Sequence, residues 1–81
     1  MNSFVEIIDA FGGAAPFGEA IGIPDSHARA MKARDSIPDG YWMRAVEAAR
    51  VRSIKGVTLE SFASLAKARL EESKPRVEAA Q

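Results

Sequence analysis

Residues 14–34, AAPFGEAIGIPDSHARAMKAR, decide the fold. Pro16 stands in a first helical turn, where its missing N–H costs little. Gly22 closes that helix with a residue that tolerates a left-handed backbone. Only two residues separate Gly22 from the next helical segment. The stretch therefore predicts two short helices, over residues 14–21 and 25–34, joined by a tight turn.

The sizes of the side chains along this stretch support the same interpretation. Gly18 supplies the small residue that is needed where two helices cross closely, four positions before Gly22. The positions expected to face inward are all apolar, namely Phe17, Ile21, Ile23, Ala28 and Met31. Short helices joined in this way predict the helix-turn-helix of DNA-binding proteins.

A further helix is predicted before this pair. The spacing of Ser3 and Glu6 is that of a capping box, in which the serine hydroxyl accepts from the third helical amide and the glutamate reaches back to the cap amide. Gly12 and Gly13 end the helix. Its apolar residues recur at helical spacing on one face, at Phe4, Ile7, Ile8 and Phe11.

Two more helices are predicted after the pair. Pro38 occupies a favoured first helical position, and the helix that it starts runs to about Ser53. Its inward residues are expected to be Trp42, Ala45, Val46 and Ala49. Thr58 caps the last helix, which carries a broad apolar stripe formed by Leu59, Phe62, Ala63, Leu65, Ala66 and Leu70.

All the periodic segments have helical spacing, and the alternation typical of strands is absent. The expected fold is therefore all-α, a compact five-helix domain that contains a helix-turn-helix. We assign the domain to residues 1–73 and expect residues 74–81, which follow Lys74-Pro75, to be a disordered tail.

The charges are unevenly distributed, although the formal net charge is zero. Residues 1–26 carry four acidic groups and no basic one, whereas residues 27–55 carry seven basic against three acidic groups, a net of +4. The last 26 residues carry four of each sign. The basic part of the chain therefore begins with the second helix of the predicted helix-turn-helix.

Composition also excludes several classes of function. The chain has no cysteine and one histidine, so it has neither a disulfide framework nor a thiolate or histidine-rich metal site. Gly12-Gly13-Ala14 lacks the lysine that a phosphate-binding loop requires, and no nucleophile–base pair can be proposed. We expect no enzyme activity, cofactor or small-molecule substrate. Because no apolar run approaches a membrane span or a signal peptide, we expect a cytoplasmic protein.

The sequence motifs of the chain resemble those of small helix-turn-helix proteins of the phage Cro and repressor type, and more narrowly those of a bacterial and prophage group labelled carph-isopro. The resemblance covers about residues 4–65. The motifs that carry it, in order, are Ile7-Ile8-Asp9-Ala10-Phe11-Gly12-Gly13, Gly22-Ile23-Pro24, Ser36-Ile37-Pro38 with Tyr41-Trp42, and Gly56-Val57-Thr58-Leu59-Glu60. It implies a sequence-specific regulator that binds double-stranded DNA, most simply a repressor. The chain departs from such proteins at Asp25, because a carboxylate near phosphates is unfavourable, although it can accept from cytosine.

Candidate DNA contacts follow from this interpretation. The outward positions of the second helix of the pair, which meet base edges, are Ser26, His27, Arg29 and Ala30. Arg29 is the best candidate for a guanine contact through O6 and N7. Lys32 and Arg34 are expected to contact phosphates, which position a protein without reading sequence. Trp42 is expected to belong to the core rather than to stack on bases.

The last helix is expected both to complete the core and to form a two-fold interface through Phe62, Leu65 and Arg69. A homodimer would place two recognition helices about 34 Å apart, one turn of DNA. The alternative function is a helix-turn-helix used as a protein-interaction module, such as an antirepressor, an antitoxin-like partner or an inhibitor of a host protein. Zero net charge, Asp25 and the broad apolar stripe favour that alternative.

Overall fold

The computed structural model describes residues 2–73, so the predicted tail at 74–81 lies outside the described residues. Within them the chain forms α-helices and a single 3₁₀ turn (Asp39–Tyr41), with no strand. The five helices are α1 (Phe4–Ala10), α2 (Ala14–Ile21), α3 (Asp25–Arg34), α4 (Trp42–Val51) and α5 (Leu59–Ser73). The expected all-helical, five-helix architecture is therefore confirmed.

Two side chains, those of Ser3 and Glu6, accept hydrogen bonds from backbone amides at the N-terminus of α1. The Ser3 hydroxyl accepts from the Glu6 amide at 3.1 Å, as the capping box predicts. The Glu6 carboxylate, however, accepts from the Asn2 amide at 2.8 Å rather than from the amide of Ser3. The glutamate thus satisfies a backbone donor one residue further upstream than we expected.

The α2–α3 pair has the bounds that its turn residues predict. Gly22 ends α2 in the left-handed conformation, with φ of 78°, and its amide donates to the carbonyl of Gly18. The Ile23 amide donates to the same carbonyl at 2.9 Å. The two helices cross closely at Gly18, where an added Cβ would lie 3.1 Å from the Ala28 Cβ. Glycine is therefore favoured by the tight space at position 18 and by backbone conformation at position 22.

The fourth helix differs from the prediction at both ends. Pro38 lies before the 3₁₀ turn, and α4 itself begins at Trp42 and ends at Val51 rather than near Ser53. The Tyr41 amide donates to the Pro38 carbonyl at 3.0 Å, which closes a tight three-residue turn before the α-helix starts. The Trp42 indole Nε1 donates to the Ile37 carbonyl at 2.8 Å and so fixes this entry into α4.

One apolar core joins the helices. Within it the half-buried Trp42 ring stacks on the fully buried Phe62 ring, with centroids 5.5 Å apart. Phe4 packs on the other side of Phe62, with centroids 6.3 Å apart. The buried side chains are Phe4, Ile7, Ile8, Phe11, Phe17, Ile21, Ala28, Met31, Ile37, Ala45, Ala48, Ala49, Val57 and Phe62. Trp42 and Met31 therefore have the core roles that were predicted for them.

The apolar stripe of α5 is only partly buried. Thr58 caps the helix as expected, because its hydroxyl accepts from the Ser61 amide at 3.0 Å. Phe62 is fully buried and Leu65 and Ala66 are half-buried, whereas Leu59 and Ala63 are exposed and Leu70 is 66% exposed. Half of the stripe thus completes the core and half faces solvent.

None of the helices in residues 2–73 has the length and apolar character needed to cross a membrane.

Candidate nucleic-acid interface

The burial pattern of α3 defines which of its sides faces outward. Ala28 and Met31 are buried against the core. At 100° per residue, the opposite side of the helix presents Ser26, Arg29, Ala30 and Ala33. Three of the four positions predicted to meet base edges are therefore on one outward face. Ala33 completes that face and was not predicted, although the same 3.6-residue period indicates it.

Arg29 is the charged residue of this face and lies at its edge, on the side of Asp25. Its guanidinium lies 3.0 Å from the carboxylate of Asp25, one turn earlier on α3, and its side chain is 70% exposed. An exposed pair of this kind contributes about 0–1 kcal/mol, because solvent screens it. Arg29 can therefore exchange Asp25 for another acceptor at little cost.

The two predicted phosphate contacts, Lys32 and Arg34, differ in their surroundings. Lys32 lies on the flank of α3 toward α1, where its Nζ is 2.9 Å from the carboxylate of Asp9. Arg34 is exposed in the last turn. Within the described residues no carboxylate lies within ion-pair distance of its guanidinium. Two of the three cations of α3 are thus paired with carboxylates that DNA phosphates would have to replace.

His27 is not on the centre of the outward face. It is half-buried on the flank of α3, where its ring meets the edge of the Tyr41 ring, with centroids 5.6 Å apart. The Arg44 guanidinium lies 5.5 Å from the centroid of the same tyrosine. Arg44 also donates to the Ile21 carbonyl at 3.4 Å, beside the α2–α3 turn. The 3₁₀ turn and α4 therefore add the Arg44 cation to this edge of α3.

The C-terminus of α3 is fixed by Asp35. This residue is left-handed, with φ of 53°, and the Ser36 amide donates to the Met31 carbonyl at 3.1 Å. The Asp35 carboxylate accepts from the Val5 amide at 3.0 Å, which joins α3 to the first turn of α1. These contacts stabilise a backbone conformation that an L-residue rarely adopts.

Arg69 of α5 binds the same junction. Its guanidinium donates to the carbonyls of Arg34, at 3.1 Å, and of Asp35, and lies 3.4 Å from the Asp35 carboxylate. A cation at a helix C-terminus also interacts favourably with the helix dipole. Arg69 therefore positions α3 within its own chain.

The three residues predicted for a two-fold interface have different environments. Phe62 has no exposed surface, because it is the central ring of the core. Leu65 is half-buried, and Arg69 contacts the end of α3. Phe62 consequently presents nothing to a second copy. The apolar row that faces solvent lies beside the predicted set and consists of the exposed Leu59, Ala63 and Leu70 and the half-buried Ala66.

Among residues 2–73 no three Asp, Glu or His side chains are grouped as metal ligands. Comparisons of the chain with protein-family models, with curated proteins and with solved structures find no match.

Proposed function

We propose that the chain is a sequence-specific regulator of transcription, of phage or prophage repressor type, that inserts α3 into the major groove of double-stranded DNA. The observation that carries the proposal is the outward face of α3. Ser26, Ala30 and Ala33 give that face short side chains, and Arg29 extends from its edge. A helix with short side chains fits a groove about 12 Å wide.

The α2–α3 geometry supports assigning this pair to a helix-turn-helix. The left-handed Gly22 makes the turn tight, and the close crossing at Gly18 holds α2 against α3. In such a unit the second helix reads base edges while the first crosses the DNA backbone. We accordingly assign base contacts to Ser26, Arg29 and Ala30.

Each contact has a definite chemistry. Arg29 donates two hydrogen bonds to guanine O6 and N7, and the methyl group of Ala30 packs against a thymine methyl. Lys32 and Arg34 bind phosphates and set the register of the protein. We assign His27 to the DNA backbone rather than to a base, because it lies on the flank of α3 against Tyr41.

A homodimer of this regulator would use the exposed apolar row of α5. In an antiparallel pairing of two α5 helices, Glu60 of each copy would face Lys67 of the other. The row has the 4-3-4 spacing of a helix–helix seam, at Leu59, Ala63, Ala66 and Leu70. Replacing Leu59 with Glu is therefore expected to raise the dimer dissociation constant in sedimentation. An unchanged constant would eliminate this face.

A second candidate function has one observation in its favour. Asp25 and Asp9 already hold Arg29 and Lys32 in ion pairs, so the charge on α3 is largely compensated within the chain. A helix-turn-helix that serves as a protein-interaction module has no need for free cations. The salt dependence of DNA binding separates the two functions.

The test is a titration of the full chain into a fluorescent duplex of random sequence at several salt concentrations. Phosphate contacts release counterions, so log K is expected to fall linearly with log salt. Lys32→Ala and Arg34→Ala should each reduce the slope by about one. Arg50→Ala is the matched control, because Arg50 is an exposed cation held by Glu47 on α4. Absence of binding at low salt would overturn the proposal in favour of the interaction module.

A further inference from the structure

An open apolar groove runs between α2 and α4, outside the outward face of α3. Its volume is about 480 Å³, and its apolar lining includes Ala20, Met43, Ala48 and Val51. Met43 is 56% exposed and Val51 is 76% exposed, so the described part of the chain leaves both uncovered. Exposed apolar residues that cluster in a concave site mark an interaction surface more often than scattered ones do.

Positive charge stands at both ends of this groove. Arg44 and Arg52 line it eight positions apart, which is about 12 Å along a helix axis. Glu47 lies between them but is paired with Arg50. Within the described residues neither end arginine has a carboxylate at ion-pair distance. The ends of the groove thus complement two negative charges separated by about two helical turns.

We propose that the α2–α4 groove binds an amphipathic helix of a protein partner. The helix would place apolar side chains against Met43 and Val51, with one carboxylate reaching Arg44 and another, about two turns away, reaching Arg52. Burial of the apolar face supplies affinity, and the two ion pairs fix direction and register. None of these residues belongs to the outward face of α3, and Arg44, whose guanidinium lies over the Tyr41 ring that His27 contacts, is the groove residue nearest to that face.

The charges of the groove argue against a second copy of the chain and against duplex DNA as its occupant. A two-fold pairing of α4 with a second copy would bring the arginine at one end of the groove opposite the arginine at the other end of the second copy, and like charges repel. Duplex DNA presents phosphates, which would leave Met43 and Val51 facing a charged backbone. A helix with an apolar face and acidic ends satisfies both features of the groove.

The experiment uses two synthetic helical peptides of about 15 residues, long enough to form a helix. Both carry leucine on one face, and they differ at two positions eight residues apart, which hold Glu in one peptide and Lys in the other. Each is titrated into the ¹⁵N-labelled full chain. We expect amide shifts at Ala20, Met43, Ala48 and Val51, and about tenfold tighter binding of the Glu peptide.

Variants of the chain test whether the peptide binds in the groove and whether Arg52 causes the preference for the Glu peptide. Val51→Asp should abolish the shifts, whereas Ser64→Asp, the same change of charge at an exposed position of α5, should leave them unchanged. Arg52→Glu should reduce or reverse the preference for the Glu peptide. The proposal would be overturned if both peptides bound with equal affinity, if neither bound, or if the amide shifts lay outside the groove. Concentration-dependent shifts of the groove without peptide would assign it instead to a second copy.

Discussion

Replacing Gly18 with Ala tests how closely α2 and α3 cross. The new Cβ would lie 3.1 Å from the Ala28 Cβ and 3.1 Å from the carbonyl oxygen of Ile23. Neither neighbour can rotate away, since one is attached directly to its backbone and the other is a backbone atom. The two helices must therefore move apart by a few tenths of an ångström, and α3 shifts with the turn.

The size of the effect follows from two opposing contributions. Replacing glycine with alanine where the backbone conformation is compatible stabilises a protein by about 0.4–1 kcal/mol, because the unfolded chain loses freedom. Overpacking a tight contact costs about 1–3 kcal/mol. The expected net loss is about 1 kcal/mol, which lowers the melting temperature of a domain of this size by about 4–8 °C.

Gly40→Ala is the matched control. A Cβ at Gly40, within the 3₁₀ turn, would meet nothing within 4 Å, so only the favourable contribution remains. Thermal unfolding followed by circular dichroism, with urea unfolding alongside, should rank Gly40→Ala as the more stable by about 1–3 kcal/mol. If Gly18→Ala is equally stable, the crossing of α2 and α3 is looser than described and the positioning of α3 must be reconsidered.

Three further predictions concern the core, the ion pairs and the end of α3. Phe62→Ala removes the ring between Trp42 and Phe4 and should lower the free energy of unfolding by about 3–5 kcal/mol; a urea midpoint like that of the unmodified chain would contradict its central role. Asp9→Asn releases Lys32 for phosphate and should strengthen duplex binding about two- to fivefold at low salt; unchanged binding in fluorescence anisotropy would place Lys32 outside the interface. Arg69→Ala removes donors to the last carbonyls of α3 and should cost about 1 kcal/mol in urea unfolding, with part of the loss restored by Arg69→Lys; a urea midpoint for Arg69→Ala equal to that of the unmodified chain would contradict the role assigned to these contacts.

The ends of α1 and α2 could be predicted because they are determined locally. The Ser3 hydroxyl accepts from the Glu6 amide three residues later, and the amide of the left-handed Gly22 donates to the Gly18 carbonyl four residues earlier. The start of α4 could not be predicted, since a 3₁₀ turn precedes it and the Trp42 indole donates to the Ile37 carbonyl ahead of that turn. Pro38 indicated that a helix starts after it, but not that its first turn is a 3₁₀ turn rather than an α-helix.

The positions of the candidate site on α3 could be predicted from the sequence, but the ion-pair partners of its cations from other helices could not. Helical periodicity alone places Ser26, Arg29 and Ala30 on one side of α3, once Ala28 and Met31 are assigned inward. The carboxylate beside Lys32 belongs to Asp9, 23 positions earlier in the chain, so no local pattern contains it. Contacts of this kind depend on how the helices are arranged in space and require the structure.

The position of Asp35 shows the same limit. Its left-handed backbone is held by an amide of α1 and by Arg69 of α5, which are 30 and 34 residues away. The sequence offered no reason to assign either partner, and Arg69 was predicted instead for a two-fold interface. The structure explains the arginine as a contact at the C-terminus of α3.

The most direct test of DNA recognition by α3 is selection of bound sequences from a random duplex pool, at a stated salt concentration, with the unmodified chain and Arg29→Ala in parallel. Our account predicts an enriched motif for the unmodified chain, palindromic if the chain dimerises. It also predicts that Arg29→Ala loses preference for a guanine at one position of each half-site while retaining salt-dependent affinity. Enrichment of the same motif at the same strength by both proteins, or no enrichment by either, would contradict the assignment of α3 as the recognition helix.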